Sequence, residues 1–460
     1  MYSRYWVVFS LLSLLILTTG FVQSWSFALG LVAMGLISGV MALGLNIQWG
    51  YAGQFNAGVM GFAAIGATAC VLVSMPWVTD TMVQGLEQLS VDPAVNAESI
   101  HKLEQDIVRR TNAEHMLWKA WLIGGFGAIL AWFANRLLRN RVSVYVRTFL
   151  VFLILIGSLA LFSAKLDTAV KVIEATGIGD DSKYLGGLGL PIIIAWVFGG
   201  ILAAGTAWLI ARIALGLRSD YLAIATLGIS EIVIAILKNE GWLTRGVLNV
   251  TGLPSPVPSV SVLQSEPYNL NVVHSLLANK LAFIFVVATF LAFFMWIAHR
   301  ALYSPWGRMM RAIRDNEEAA NAMGKDITRR HRQVFILGSF MIGCGGAMLA
   351  THVLQFEPAG YHPLRYTFLI WVMVIAGGSG NNWGAVVGGL LIWFLWVQAE
   401  PAAAWFFAVV GANFASESGM FAALLSERAP QMRTLVMGTL LLLVLRFAPR
   451  GLLPAVTPRK

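Results

Sequence analysis

Two cysteines, seven histidines and 12% charged residues leave this 460-residue chain little material for covalent or metal chemistry. Cys70 and Cys344 both lie in apolar runs, so neither a disulfide framework nor a thiolate metal site is indicated. The histidines are scattered and lack the H-E-x-x-H spacing that sets two imidazoles on one helix face. No G-x-x-x-x-G-K-[ST] stretch occurs, which excludes a phosphate-cradling loop of that kind. The chain is therefore expected to hold no catalytic residue, no metal site and no cofactor of its own.

What it has in excess is apolar length. Mean hydropathy is +0.72, and the chain is 58% hydrophobic, with 26 Phe and 17 Trp. About twelve runs approach the length needed to cross roughly 30 Å of hydrocarbon. They lie at 6–22, from 27 onward, and near 57–77, 120–135, 147–163, 190–211, 221–237, 280–298, 334–353, 367–380, 384–399 and 432–447. In a lipid bilayer each must be helical, because no water is there to satisfy open backbone groups. The expectation is an all-α polytopic membrane protein of about 10–12 transmembrane or re-entrant helices, one transmembrane domain over residues 1–460. The first run follows Arg4 as a signal peptide would. No small-residue cleavage site follows and hydrophobicity resumes at once, so it reads as a retained helix.

The net charge of +9 suggests nucleic acid only until the charges are placed. Arg136, Arg139, Arg141 and Arg147 crowd one loop, Arg212 and Arg218 another, and Arg446, Arg450, Arg459 and Lys460 the C-terminus. The loop 299–333 carries eight Lys/Arg, whereas 239–279 carries only Arg245. This is the positive-inside pattern, and alternation puts both termini in the cytoplasm. No nucleic-acid partner is implied. Residues 80–119, with seven acidic against four basic residues, then fall outside. Their stretch "AESIHKLEQDIVRR" reads as a helix with Ile100, Leu103 and Ile107 on one face. Residues 239–279 hold "TRGVLNVTGLPSPVPSV", whose Gly and Pro forbid continuous helix, so an ordered external loop is expected.

Glycine clusters twice, in "LGLNIQWGYAGQFNAGVMGFAAIGA" and in "VIAGGSGNNWGAVVGG". Such spacing lets helices approach closely, as along Gly384–Gly388. With Asn and Gln it also permits a broken helix of the sort that builds midplane transport sites. For the second cluster close packing alone is an equal reading. Asn46, Gln54 and Asn56 favour a solute-pathway role for the first. Glu231 lies midway through an apolar run, where an ionised carboxylate is costly unless paired or hydrated. It reads either as a pathway or gating group or as a structural partner for a cation or backbone amides. Tyr221 and Thr226 in the same run could add hydroxyls.

Between 305 and 324 a short amphipathic helix is expected, with Ser304 as N-cap, Pro305 at its first position and Gly324 ending it. Arg311 with Asp315 and Arg314 with Glu318 stand four apart, at ion-pair spacing. Met309, Ile313, Ala320 and Met323 line the other face. Charges of both signs and few bulky anchors suit a protein partner better than lipid headgroups.

That segment carries a resemblance. "EAANAMG" (Glu318, Ala319, Ala320, then Gly324) is similar to the E-A-A-x-x-x-G loop of bacterial ABC importer permeases. The longer "SPWGRMMRAIRDNEEAANAMG" resembles branched-chain amino acid permeases of the LivM type. So do "LGLNIQWGYAGQFNAG" (43–58), "LRSDYLAIATLGISEIV" (217–233) and "APRGLLP" (448–454), in the same order. The resemblance implies an ABC importer permease fold in a bacterial cytoplasmic (inner) membrane. It makes 305–324 a coupling helix, in which Arg311, Arg314, Asp315, Glu317, Glu318, Ala319, Ala320 and Gly324 contact an ATPase subunit. It implies as partners two ABC ATPase subunits that bind the ATP, a second, LivH-type permease chain and an external solute-binding protein. Urea or short-amide importers have similar permeases, and an ion-coupled secondary transporter using Glu231 is a further alternative.

Overall fold

A computed structural model of the chain describes residues 2–91, 97–138, 142–176, 183–214, 219–414 and 429–454. Arg139, Arg141, Arg218, Arg459 and Lys460, counted among the positive loops, lie outside the described residues. In chain order the helices are α1 Tyr2–Val22, α2 Trp25–Leu45, α3 Val59–Ala69, α4 Val78–Val91, α5 Ala97–Leu137, α6 Val144–Ala175, α7 Ile192–Ala214 and α8 Ser219–Asn239. After them come α9 Gly241–Thr244, α10 Val260–Gln264, α11 Val272–Tyr303, α12 Pro305–Asp315, α13 Glu317–Ala322, α14 Ile327–Val353, α15 Pro363–Gly377, α16 Asn382–Phe414 and α17 Met432–Phe447. An antiparallel pair joins β1 Val250–Thr251 to β2 Gln355–Phe356, with Val250 opposite Phe356. It zips part of the expected 239–279 loop to the chain that follows α14.

Among the described residues ten helices are long and apolar enough to cross a membrane, and two shorter apolar segments, Val59–Ser74 and Tyr366–Gly377, complete the twelve expected runs. Those two are the Gly-broken ones. The protein is a multi-pass, all-α membrane protein.

The chain folds as two compact units. The first comprises Met1–Ser74, Leu190–Ile236 and Val250–Lys460. Its α14 is buried along most of its length because its small residues admit neighbours at backbone distance. A Cβ on Gly66 would stand 1.9 Å from the Gly343 carbonyl oxygen, and one on Gly346 would stand 2.0 Å from that of Ala63. Gly199 of α7 meets Gly66 in the same way. Three backbones therefore meet where any larger residue would force them apart. In the second glycine cluster, Gly388 lies against Met373 and Gly389 against Gly39, so those positions pack α16 on α15 and α2. Gly378 and Gly380 take positive φ and form the break between α15 and α16.

The second unit comprises Met75–Gly189 and Leu237–Asn249. Residues 1–460 are expected as one domain with 80–119 as an insertion; this unit takes in that insertion, the apolar continuation of its helix and α6. The expected helix in 97–110 runs on without interruption into the apolar run as α5, and Leu103 is buried on its inner face. Arg110 is fully buried and pairs with Glu114 at 3.0 Å. Glu114 also accepts from the Trp77 indole and the Thr79 hydroxyl, both at 2.7 Å. Arg110 donates in addition to the Tyr184 carbonyl. Burial of this pair is tolerable because its bonding capacity is so fully used. Ala113, Leu117, Ala169, Ile173, Leu185 and Trp242 form the apolar core beside it.

Candidate functional site

The first glycine-rich stretch breaks the helix as expected. After Leu45 the backbone widens into a π-helical turn, Asn46–Tyr51, and residues 53–58 are not helical before α3 begins. Polar side chains take up the backbone groups this exposes. Asn46 is fully buried, accepts from the Gly380 amide at 2.8 Å and donates to Asn382 at 3.4 Å. Tyr51 donates to the same Asn382 oxygen at 2.6 Å. Asn56 donates to Gln48 at 2.8 Å and accepts from the Gly58 amide at 2.9 Å. Gln48 in turn donates to the Phe335 carbonyl and the Ser339 hydroxyl of α14. The Trp371 indole of α15 closes onto the Asn56 carbonyl at 3.0 Å. Asn46 and Asn56 thus bind the break to α14, α15 and the start of α16. Gln54 differs: it is buried, yet among the described residues neither side-chain amide atom has a hydrogen-bond partner. Such a group calls for an explanation beyond folding, because leaving it unbonded costs on the order of 1–3 kcal/mol.

Thr226 of α8 belongs to the same locus. Its hydroxyl accepts from the Ala57 amide at 3.0 Å, and Gly58 lies against its carbonyl. Tyr221 and Glu231 do not join it. Both are exposed in the chain, on one stripe of α8 with Ile224, Gly228 and Ile232. A carboxylate on an otherwise apolar stripe requires water or a protein donor opposite it.

The expected helix over 305–324 is two helices, not one. Ser304 caps α12 by accepting from the Gly307 amide at 3.3 Å. The helix then stops at Asn316, whose extended backbone (φ −156°, ψ 102°) and side-chain bond to the Ala319 amide at 2.9 Å start α13. Asn competes with helical bonding in this way whenever its side chain can cap a new start. The break removes the register that Arg314–Glu318 pairing needs. Arg314 instead donates to the Gly50 carbonyl and pairs with neighbouring Asp315 at 3.1 Å. Gly53, at φ +71°, presents its bare Cα face to the Arg314 side chain. Met310 and Ile313 are buried on the inner face, whereas Met323 is 79% exposed, contrary to its expected inward position. Ala320 is buried, while Asp315, Glu317, Glu318, Ala319 and Gly324 are exposed and Arg311 is half-buried.

Three features went unread in the sequence. Gln48 sits between two residues that were singled out, and its burial alone marks it. Asn381 and Asn382 sit inside the second glycine cluster. Asn382 joins Asn46 and Tyr51, while Asn381 donates to the Tyr5 hydroxyl and to the carbonyls of Leu453 and Pro454 in "APRGLLP". The third feature is a cavity of about 180 Å³ in the first unit, lined by Met34, Ser38, Met41, Met60, Met373, Glu357 and Tyr361 among others. No sequence signal announced it, since its walls come from five separated segments.

Among the described residues no cluster of His, Cys, Asp or Glu could hold a metal ion. Polar side chains here bond helix to helix around a break, in a molecule built to sit in lipid. That is the construction of a membrane permease. Residues 177–445 match the family described as branched-chain amino acid transport system / permease component, and the chain belongs to that family.

The chain is 25% identical over 272 residues to a probable branched-chain amino acid transport permease protein LivM of Methanocaldococcus jannaschii, covering 59% of this chain and 69% of that protein. It is 24% identical over 279 residues to the high-affinity branched-chain amino acid transport system permease protein LivM of Escherichia coli K12, covering 56% of this chain and 57% of that one. A LivM of Salmonella typhimurium gives the same identity, over 276 residues. The matches to the two enterobacterial relatives span little more than half of their length. No solved structure matches the chain. These relatives bear out the LivM-type resemblance. The segments 217–233 and 304–324 lie inside the family match, and 43–58 and 448–454 lie outside it.

Proposed function

We propose that this chain is the transmembrane permease subunit of an ATP-binding-cassette importer for branched-chain amino acids, working by alternating access. The observation that carries the reading is the α12–α13 segment. It offers acidic, basic and apolar groups outward while Arg314 holds it to the π-helical break at Gly50. An ATPase that grips Glu317, Glu318 and Met323 would thereby move an element whose bonds reach α14, α15 and α16 together. Interfaces and broken helices of this kind switch between discrete arrangements, which opens a path first to one side and then to the other.

The chain supplies one coupling segment, whereas a closed ATPase pair presents two grooves. A second, LivH-type permease completes the assembly, and an external binding protein delivers the solute. The assembly sits in a bacterial cytoplasmic membrane with both termini and residues 299–333 inside. Gln54 is the pathway group best supported, since its buried amide is unspent on folding. Asn46, Asn56 and Thr226 hold the break that must move. Tyr221 and Glu231 face the second permease or the water between the two chains.

The test is uptake of labelled leucine into liposomes holding this chain with its permease, ATPase and binding-protein partners, beside Glu318→Lys. The reading expects uptake that requires ATP and binding protein and collapses in the variant, with weakened ATPase affinity. ATP-dependent uptake of urea but not leucine would keep the mechanism and change the substrate. Uptake driven by a proton gradient without ATP would overturn it.

A further inference from the structure

The cavity in the first unit is not explained by packing. Its walls are apolar and adaptable, with Met34, Met41, Met60 and Met373 around Leu349 and Ile370. Unbranched methionines mould to ligands of differing shape. The polar groups are few: Gln355, Glu357 and Tyr361 from the stretch that follows α14, Ser38 of α2 and Tyr366 of α15. Met41, Met60 and Met373 are buried, whereas Glu357 is half-buried and Val353 at the end of α14 is exposed, so the cavity reaches the surface beside Val353. Among the described residues no lysine, arginine or histidine lines the space. Tyr361 is buried, and burial pushes its phenol well above the ordinary tyrosine value, so it stays neutral.

Size and position narrow the occupant. A buried apolar cavity of about 150 Å³ admits a six-carbon ring; this one, at about 180 Å³, has room for a four-carbon side chain and its α-carbon. The 27-residue α14 starts just after α13 and ends at Val353 on the cavity wall. At about 1.5 Å per residue, that sets the mouth roughly 40 Å from the coupling segment. The cavity thus opens at the far end of the helix that the ATPase would act on. Met60 of its lining lies two residues past Gly58, at the end of the polar break, with its amide bonded to Thr367.

We propose that this cavity, within a single permease chain, is a receiving site for an aliphatic α-amino acid on the external side. The methionine walls take the side chain, and Glu357 meets the ammonium group. The inference rests on the importer reading for its direction, but the site itself can be judged without transport.

The experiment is equilibrium binding of tritiated leucine to the purified permease–ATPase complex without ATP or binding protein, followed by uptake in liposomes. One saturable leucine site per copy of this chain is expected. Affinity should fall about fourfold for each methylene removed, from leucine to valine to alanine. Ala350→Phe, which fills the cavity from α14, should abolish binding and cut leucine uptake at least tenfold. Glu357→Gln should weaken leucine binding roughly tenfold while leaving competition by isocaproate, which lacks the ammonium group, unchanged. This second variant decides the matter if Ala350→Phe does not assemble. No saturable binding at millimolar leucine would overturn the proposal. So would binding that both variants leave intact, or a site that prefers detergent and acyl chains and ignores leucine. Uptake by the wild type that needs no ATP would defeat the importer reading instead, and the binding series would still judge the cavity.

Discussion

Removing the Arg314 side chain tests whether the α12–α13 segment, the proposed ATPase contact, is mechanically joined to the break. Arg314 has two partners, and their worth differs. Its bond to the Gly50 carbonyl links α12 to a residue 264 positions away. Its pairing with Asp315 joins sequence neighbours, with Asp315 67% exposed. A charge-assisted bond to a buried carbonyl contributes about 1.5–3 kcal/mol. Since the Arg314 side chain is 35% exposed, screening reduces this to about 1.4 kcal/mol, a factor of roughly ten. The pair with Asp315 contributes about 0–1 kcal/mol in water and joins nothing distant. In a reconstituted complex, Arg314→Ala should therefore lower leucine uptake per ATP hydrolysed about tenfold, with the ATPase still bound and turning over. Asp315→Asn should stay within about twofold of wild type. Arg314→Lys should fall between, since a single ammonium on a flexible stem keeps the charge but not the planar fork. Equal defects in Arg314→Ala and Asp315→Asn would refute the latch and assign both residues to the ATPase surface. Wild-type coupling in Arg314→Ala would refute it outright.

Gly66→Ala should lower the thermal midpoint of the purified protein by several degrees, because its methyl would meet the Gly343 carbonyl at a cost of about 1–3 kcal/mol. Gly85→Ala, in a helix with open space around it, should leave the midpoint unchanged or raise it slightly, by helix propensity alone. In the second unit, Arg110→Met should destabilise by about 3–5 kcal/mol, because it strands the buried Glu114 carboxylate. Adding Glu114→Gln should recover much of that loss, and denaturant or thermal melts of the pair would show it. Asn316→Ala should remove the cap of α13 at a cost of about 1 kcal/mol. It should also weaken ATPase affinity several-fold in a pull-down titration while α12 stays docked.

Much of the architecture was legible in the chain because lipid imposes a simple rule. A run of apolar residues of sufficient length must be a helix, so twelve runs became ten long helices and two short ones without further information. The break at 46–58 was legible for the same reason: glycines with Asn and Gln cannot remain an ordinary buried helix without bonding outside it. The helical segment over 305–324 was legible through Ser304, Pro305 and Gly324, but its division at Asn316 was not. One asparagine can point outward from a helix or cap a new one, and only the approach of Arg314 to Gly50 shows which geometry the surroundings favour.

The roles of the polar residues were decided in three dimensions. Asn46, Gln54 and Asn56 look alike in sequence. In the fold the first and last spend their amides on Gly380, Asn382, Gln48 and Gly58, and Gln54 finds no partner for its own among the described residues. Glu231, prominent in the sequence as a carboxylate in an apolar run, lies on the outward stripe of α8, away from the break that Thr226 grips. The cavity belongs wholly to tertiary structure, since Met34, Met60, Leu349, Glu357 and Met373 share no motif or period. Helices follow from hydrophobic length, a local property of the chain. Hydrogen-bond partners and empty volume follow from which helices meet, and that depends on where small residues let two backbones touch.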